Sequence, residues 1–156
     1  RSSDLATCLV LIMGKRQGRF YWLNNIDPKI KFAAGIEHTN FIPASEYGNK
    51  HILYIANYHK REDQMGRFDV NRLLDYYLSS LKKVYGGFDK DDIEKKFLFR
   101  DNYSTPVYDL KYSRKVPPYQ GWGNNIHICS TAQIYPEDRT MNNCVKNALG
   151  YIAANY

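Results

Sequence analysis

The sequence predicts an α+β fold: a mixed, largely antiparallel sheet with a long helix over about 69–85 and a C-terminal helix over about 141–156. Three observations carry this. Four strand-like runs precede the first helix with no helix between them, an order that suits an antiparallel or mixed sheet better than βαβ units. Val70, Leu73, Leu74, Tyr77, Leu78, Leu81 and Val84 then recur at helical spacing. The chain closes on a short apolar run, a polar turn and a second amphipathic stretch.

The elements follow in order. Leu5 to Met13 is a β-branched and aliphatic run ending at Gly14, and reads as a buried strand. Lys15 to Gly18 reads as a turn and Arg19 to Leu23 as a second strand, so the two runs are expected to form a hairpin. Asn24-Asn25 and Asp27-Pro28 break the chain. Phe32 to Phe41 is expected to be a third strand, Pro43 to Asn49 a loop, and His51 to Tyr58 a fourth strand. Apolar residues on both sides of that fourth strand point to a central position in the sheet. Asp69 is the expected N-cap of the first helix, and Gly86-Gly87 its stop. Asp89 to Lys95 is expected to form a short helix, Lys96 to Arg100 a strand, Pro106 to Tyr112 an extended segment and Asn125 to Thr131 a last strand. Met141, Cys144, Val145, Ala148, Leu149, Ile152 and Ala153 form one face of the closing helix.

Composition narrows the function classes. At 156 residues, 44% hydrophobic and 24% charged, the chain has the make-up of an ordinary globular domain. The net charge of +6 is scattered over short groups such as Lys82-Lys83 and Lys95-Lys96, without the basic stripe of a nucleic-acid binder. No apolar run reaches about eighteen residues, so no membrane span is expected. Cys8, Cys129 and Cys144 lie at no metal-binding interval and read as buried, reduced thiols, which points to a cytoplasmic setting. The first residue is Arg rather than Met, which suggests a processed or excised segment.

Few motifs carry chemistry. Gly121-x-Gly123 fails as a dinucleotide fingerprint because it precedes a strand and opens no helix. The four histidines show no metal spacing, and His127, inside the last predicted strand, reads as a structural residue. Glu37 and His38 are an acid–base pair in composition only, since neighbours in a strand face opposite ways. Tyr103, Tyr108, Tyr112 and Tyr119 surround Lys111, Arg114 and Lys115. Such a group can wall a pocket for an aromatic or acidic small molecule, or cover a sheet edge with amphipathic side chains. The Pro136-Glu137-Asp138-Arg139 turn sets carboxylates at a helix start, which is capping chemistry in itself. The amides of that helix start also suit an anionic cofactor.

Several segments together resemble a known family. Glu37-His38-Thr39-Asn40-Phe41, then Tyr47-Gly48 before His51-Ile52-Leu53-Tyr54, and above all Ala132-Gln133-Ile134-Tyr135-Pro136-Glu137-Asp138-Arg139 with Asn142 and Val145, are similar to the C-terminal part of FAD-dependent oxidoreductases. The nearest branch is the protoporphyrinogen oxidase-like group of the flavin amine oxidase superfamily. The resemblance implies that 1–120 is a substrate-binding-like α+β domain and 121–156 a strand–turn–helix that completes an FAD-binding domain. It implies a parent enzyme that uses FAD to remove a hydride from a C–H bond next to nitrogen or conjugated carbon. The residues it places against the cofactor are Ser130, Thr131, Asp138, Arg139, Thr140, Met141 and Asn142, and Tyr108 and Tyr112 are the candidates for substrate contact. Ser130-Thr131 stand where the superfamily has a Gly-Asp pair, and Thr140 and Ala148 where it has glycines. The N-terminal Rossmann part with its G-x-G-x-x-G is absent, so the chain alone is expected to be inactive, with that FAD-binding domain as its missing partner and the exposed C-terminal helix as a route to oligomers. The competing expectations are a stand-alone small-molecule-binding module with a tyrosine-lined pocket and a protein-interaction domain.

Overall fold

The computed structural model describes residues 5–60, 62–104, 108–121, 123 and 125–155. The fold is α+β: five antiparallel strands in one sheet and two α-helices among these residues. The chain divides into two compact units at residues 105 and 106, ahead of the division at 120 read from the sequence.

In the first unit the sheet order is β2-β3-β4-β1-β5, with β1 Leu5–Met13, β2 Trp22–Asn24, β3 Ala34–Glu37, β4 His51–His59 and β5 Ile93–Asp101. Strand β1 runs antiparallel to β4, with Leu9 opposite Ile55, and antiparallel to β5, with Leu9 opposite Leu98. The expected hairpin between the first two runs does not form. Strand β2 begins only at Trp22 and pairs with β3. The physical reason lies in β1, whose Leu9, Val10, Leu11 and Met13 are all buried and need a strand on each side. The 15–18 turn is instead held by Glu37.

Helix α1 (Val70–Val84) lies on one face of the sheet. Its Leu73, Leu74, Tyr77 and Leu81 pack with Leu9, Leu11, Met13, Leu53 and Ile55, each fully buried aliphatic contributing about 2 kcal/mol. As the sequence predicts, Asp69 is the cap: its Oδ1 accepts the amides of Asn71 and Arg72, each at 2.9 Å. Asp69→Ala is expected to cost about 1 kcal/mol, read as a lower midpoint in urea with unchanged m-value. The helix ends at Tyr85, just before Gly86-Gly87. Beyond it, the expected short helix shrinks to one 3₁₀ turn, Lys90–Asp92, because β5 already begins at Ile93 and pairs there with Met13. Similarly, the third strand is only Ala34–Glu37; His38–Asn40 turns away in a 3₁₀ helix.

The other face of the sheet is open. Alternation along β4 sends Leu53, Ile55 and Asn57 toward α1 and Tyr54, Ala56 and Tyr58 away from it. Strand β4 is central, as expected, but Tyr58 at its far end is exposed.

The second unit holds α2, Met141–Asn155. The expected strand over Asn125 to Thr131 is absent among the described residues. One bridge, Gln120 with His127, is all the pairing found there, and Thr131–Gln133 forms a 3₁₀ turn. With no partner strand, Ile126 and Ile128 are exposed, as is Cys129, which therefore is not the buried thiol expected. Cys8 and Cys144 are half-buried and all three thiols are free. The segment read as extended, Pro106 to Tyr112, has Pro106 and Val107 outside the described residues. Its end is a turn, with Lys111 at φ 61° and a 3₁₀ turn over Tyr112–Arg114.

Candidate functional site

The turn leading into α2 is built by side chains that bond their own backbone. Gln133 is its hub and is buried. Its Oε1 accepts the Ser130 amide at 2.7 Å, and its Nε2 donates to the carbonyls of Ile128 at 3.0 Å and Pro117 at 3.2 Å. Thr140 caps the helix: its Oγ1 accepts from the Asn143 amide at 3.3 Å, and its carbonyl accepts from Cys144 at 3.0 Å. Asp138 accepts the Arg139 amide through Oδ1 at 2.8 Å, while its carbonyl accepts from Asn143 Nδ2 at 2.8 Å. Of the expected cofactor contacts, Thr131, Asp138, Thr140, Met141 and Asn142 are exposed, and Ser130 and Arg139 are half-buried. All seven are therefore accessible along the 130–142 segment, with the amides of Met141 and Asn142 in the first helical turn, where an α-helix leaves its N–H groups without internal partners.

The two tyrosines expected to meet substrate do come together. Tyr108, Tyr112 and Tyr135 form a ring trio with centroids 4.7, 5.4 and 5.2 Å apart. Within it Tyr112 is buried and donates its hydroxyl to the Ala132 carbonyl at 3.0 Å. Burial, with the neighbouring Tyr108 and Asp109, raises its pKa. Tyr108 and Tyr135 present the exposed edges. Beside them a cleft of about 210 Å³ is lined by Tyr119, Gln133, Tyr135, Glu137, Lys146 and Asn147, among others. Tyr119 donates to Asn147 Oδ1 at 2.5 Å, and Tyr151 packs against both Tyr119 and His127. Far from being a strand residue, His127 is an exposed ring tilted against Tyr151 of α2.

Helix α2 buries none of its residues. Its apolar face, Met141, Val145, Leu149 and Ile152, is uncovered, with Met141 82% exposed. Cys144 and Ala148, which the sequence puts on the same face, are half-buried.

In the first unit, sequence reasoning missed two features. The first is Glu37, only 1% exposed, whose two carboxylate oxygens accept the Gln17 and Gly18 amides at 2.6 and 2.7 Å. Burial, helped by this carboxylate, pushes the Tyr85 phenol up to about 12. His38 is separate from it and bonds the Tyr47 hydroxyl at 2.7 Å. The second is the open sheet face, where Trp22, Tyr58, Phe97 and Phe99 are exposed and Tyr21 packs on Phe41 at 5.0 Å. The signal was available as aromatic residues at even spacing on β4 and β5, Tyr54 and Tyr58 four apart and Phe97 and Phe99 two apart. No group of three or more His, Cys, Asp or Glu among the described residues could hold a metal ion, and no helix there is long and apolar enough to cross a membrane.

No family model and no curated protein matches the sequence. Solved structures do match it. An assigned protoporphyrinogen oxidase from Exiguobacterium sp. 255-15 superposes with a TM-score of 0.57 at 14% identity, over 74% of this chain and 26% of its own. Reduced UDP-galactopyranose mutase gives a TM-score of 0.53 at 11% identity, over 74% of this chain and 25% of its own. What is shared is the fold. The chain thus spans about a quarter of each of these larger proteins.

Proposed function

We propose that this chain is the part of an FAD-dependent oxidoreductase that supplies the substrate-facing α+β domain and the last flavin-contacting segment, and that it is inactive without an FAD-binding domain. The observation that carries this reading is the fold shared with about a quarter of two much larger chains, taken with the resemblance of 132–145 to the flavin-contacting end of that superfamily. The uncovered face of α2 supports it as well, since a helix with no buried residue has its apolar side free for a domain outside these residues.

The 130–142 segment fits such a cofactor in its donor chemistry. The Met141 and Asn142 amides at the start of α2 would face negative charge on the pyrimidine edge or pyrophosphate, with Arg139 adding a cation. Ser130 and Thr131 would flank it. The Asp138 carboxylate is turned to its neighbour's amide, which lessens its repulsion of an anion. FAD, when bound, would take a hydride from a C–H bond next to nitrogen or conjugated carbon and hand the electrons to oxygen or another acceptor. The chain's own work is positioning: Gln133 fixes the backbone around Ser130, Thr140 fixes the helix start, and Tyr108, backed by the buried Tyr112, offers its ring to a substrate.

Absorbance near the flavin band is the test. The 156-residue chain is expected to be colourless and the longer protein that contains it yellow. A longer protein without flavin overturns the reading. The second reading, a stand-alone ligand-binding module, is favoured by one observation, the cleft lined by Tyr119 and Tyr135. It requires a ligand to bind there in the colourless chain with no other domain present.

A further inference from the structure

On the open sheet face, three strands build a trough whose floor and walls come from strict alternation. Cys8 on β1 is opposite Ala56 on β4 and Phe99 on β5; Ala6 is opposite Tyr58 and Asp101. All six therefore project to the side away from α1. Ala6, Cys8 and Ala56 are small and keep the floor low. Tyr58 and Phe99 rise on either side, on strands about 9–10 Å apart, twice the strand spacing, and are offset from each other by two residues along them. The cleft over them measures about 300 Å³, at the lower end of the range for small-molecule sites, about 300–1,000 Å³.

Two charged residues line it, Asp101 and Arg100. Asp101 stands at one end, its Oδ1 accepting the Tyr103 amide at 2.8 Å. Arg100, the adjacent cation, alternates to the other face, where its guanidinium donates to the Phe68 carbonyl. Aromatic faces attract cations, and an apolar floor makes an unpaired anion costly to desolvate. We infer that this trough is a binding site for a flat, apolar ring compound carrying one positive charge, and that Asp101 and the Phe99 and Tyr58 rings select it over its neutral and anionic counterparts. The inference goes beyond the flavoprotein reading, because binding here needs neither flavin nor another domain.

Cys8, in the floor, is a built-in reporter, and the exposed Cys129 an internal control. The experiment measures alkylation of both thiols by iodoacetamide, by peptide mass mapping, in the 156-residue chain. Three indoles that differ in charge are added at equal concentration: tryptamine, 3-methylindole and indole-3-propionate. Tryptamine is expected to slow Cys8 relative to Cys129 at a concentration about fivefold lower than 3-methylindole needs, the factor that roughly 1 kcal/mol of cation attraction gives. Indole-3-propionate is expected to give no protection. Asp101→Asn should erase most of the tryptamine advantage, and Phe99→Ala, at a side chain 61% exposed, should weaken protection by both protecting indoles. Equal protection by indole-3-propionate, or none by tryptamine, overturns the proposal on the unmodified chain alone. An undiminished tryptamine advantage in Asp101→Asn overturns the role of that carboxylate. A colourless longer protein would defeat the flavoprotein reading and leave this result standing.

Discussion

Glu37→Gln is expected to lower the Tm of the 3–105 unit by roughly 8–16 °C, from a loss of about 2 kcal/mol. The carboxylate is almost wholly buried and each of its oxygens accepts one backbone amide, from Gln17 and from Gly18. Glutamine keeps one acceptor and replaces the other with an NH₂ group, so one amide faces a donor where it had an acceptor. An unpaired buried donor costs its full desolvation, far more than an average hydrogen bond contributes. Two further readouts separate this account from a general loosening. Hydrogen exchange at Gln17 and Gly18 should accelerate before that of the core strands. The Tyr85 phenol should titrate lower than its present value of about 12, because the Glu37 charge is a secondary cause of its rise, while burial, the larger cause, should still hold it above its ordinary value. A melting change below about 3 °C would mean that water satisfies the freed amide.

Gly35→Ala is the second large effect, expected to cost about 1–3 kcal/mol through overpacking. Gly35 lies on β3 opposite Ile55, on the face packed under α1. A β-carbon there would run into the hydroxyl of Tyr85, itself buried. The obstacle is one oxygen atom, since the next atom of the ring, Cζ, lies 3.3 Å from the new carbon. Tyr85→Phe should therefore rescue Gly35→Ala to within about 1 kcal/mol of Tyr85→Phe alone, a coupling measurable in a double-mutant cycle. A double variant as unstable as Gly35→Ala would show that the backbone, and not the phenol, needs the glycine.

Sequence reasoning reached the long-range frame through its strongest local signals. Asp69, the 3.6-residue period from Val70 to Val84 and the two glycines fixed α1, and the unbroken apolar run of Leu5 to Met13 fixed β1. It failed where a partner decides the outcome. The run from Asn125 to Thr131 has the composition of a strand, but a strand exists only with a neighbour, and here only Gln120 pairs with it, at His127. Arg19 to Leu23 was assigned to the wrong partner for the same reason. At the candidate site, sequence reasoning gave the capping to the carboxylates of the 136–139 turn, whereas it is Thr140 that accepts the Asn143 amide. The hub role of Gln133 could not be read from position, because its three bonds reach Pro117, Ile128 and Ser130 only after the chain has turned. Nor does a lone Glu37 in an apolar stretch announce that two amides nearly twenty residues earlier will close on it.

The strand order has a consequence for how the molecule is made. β1 lies between β4 and β5, so residue 6 has to find residue 58 on one side and residue 101 on the other. During synthesis the most apolar strand of the sheet is therefore produced well before either neighbour and stays unpaired until most of the first unit exists. Pairings this distant close slowly, since loop entropy is lost before the contacts repay it. An aliphatic strand waiting with both edges open is the point at which chaperone capture or misassembly with another nascent chain would begin.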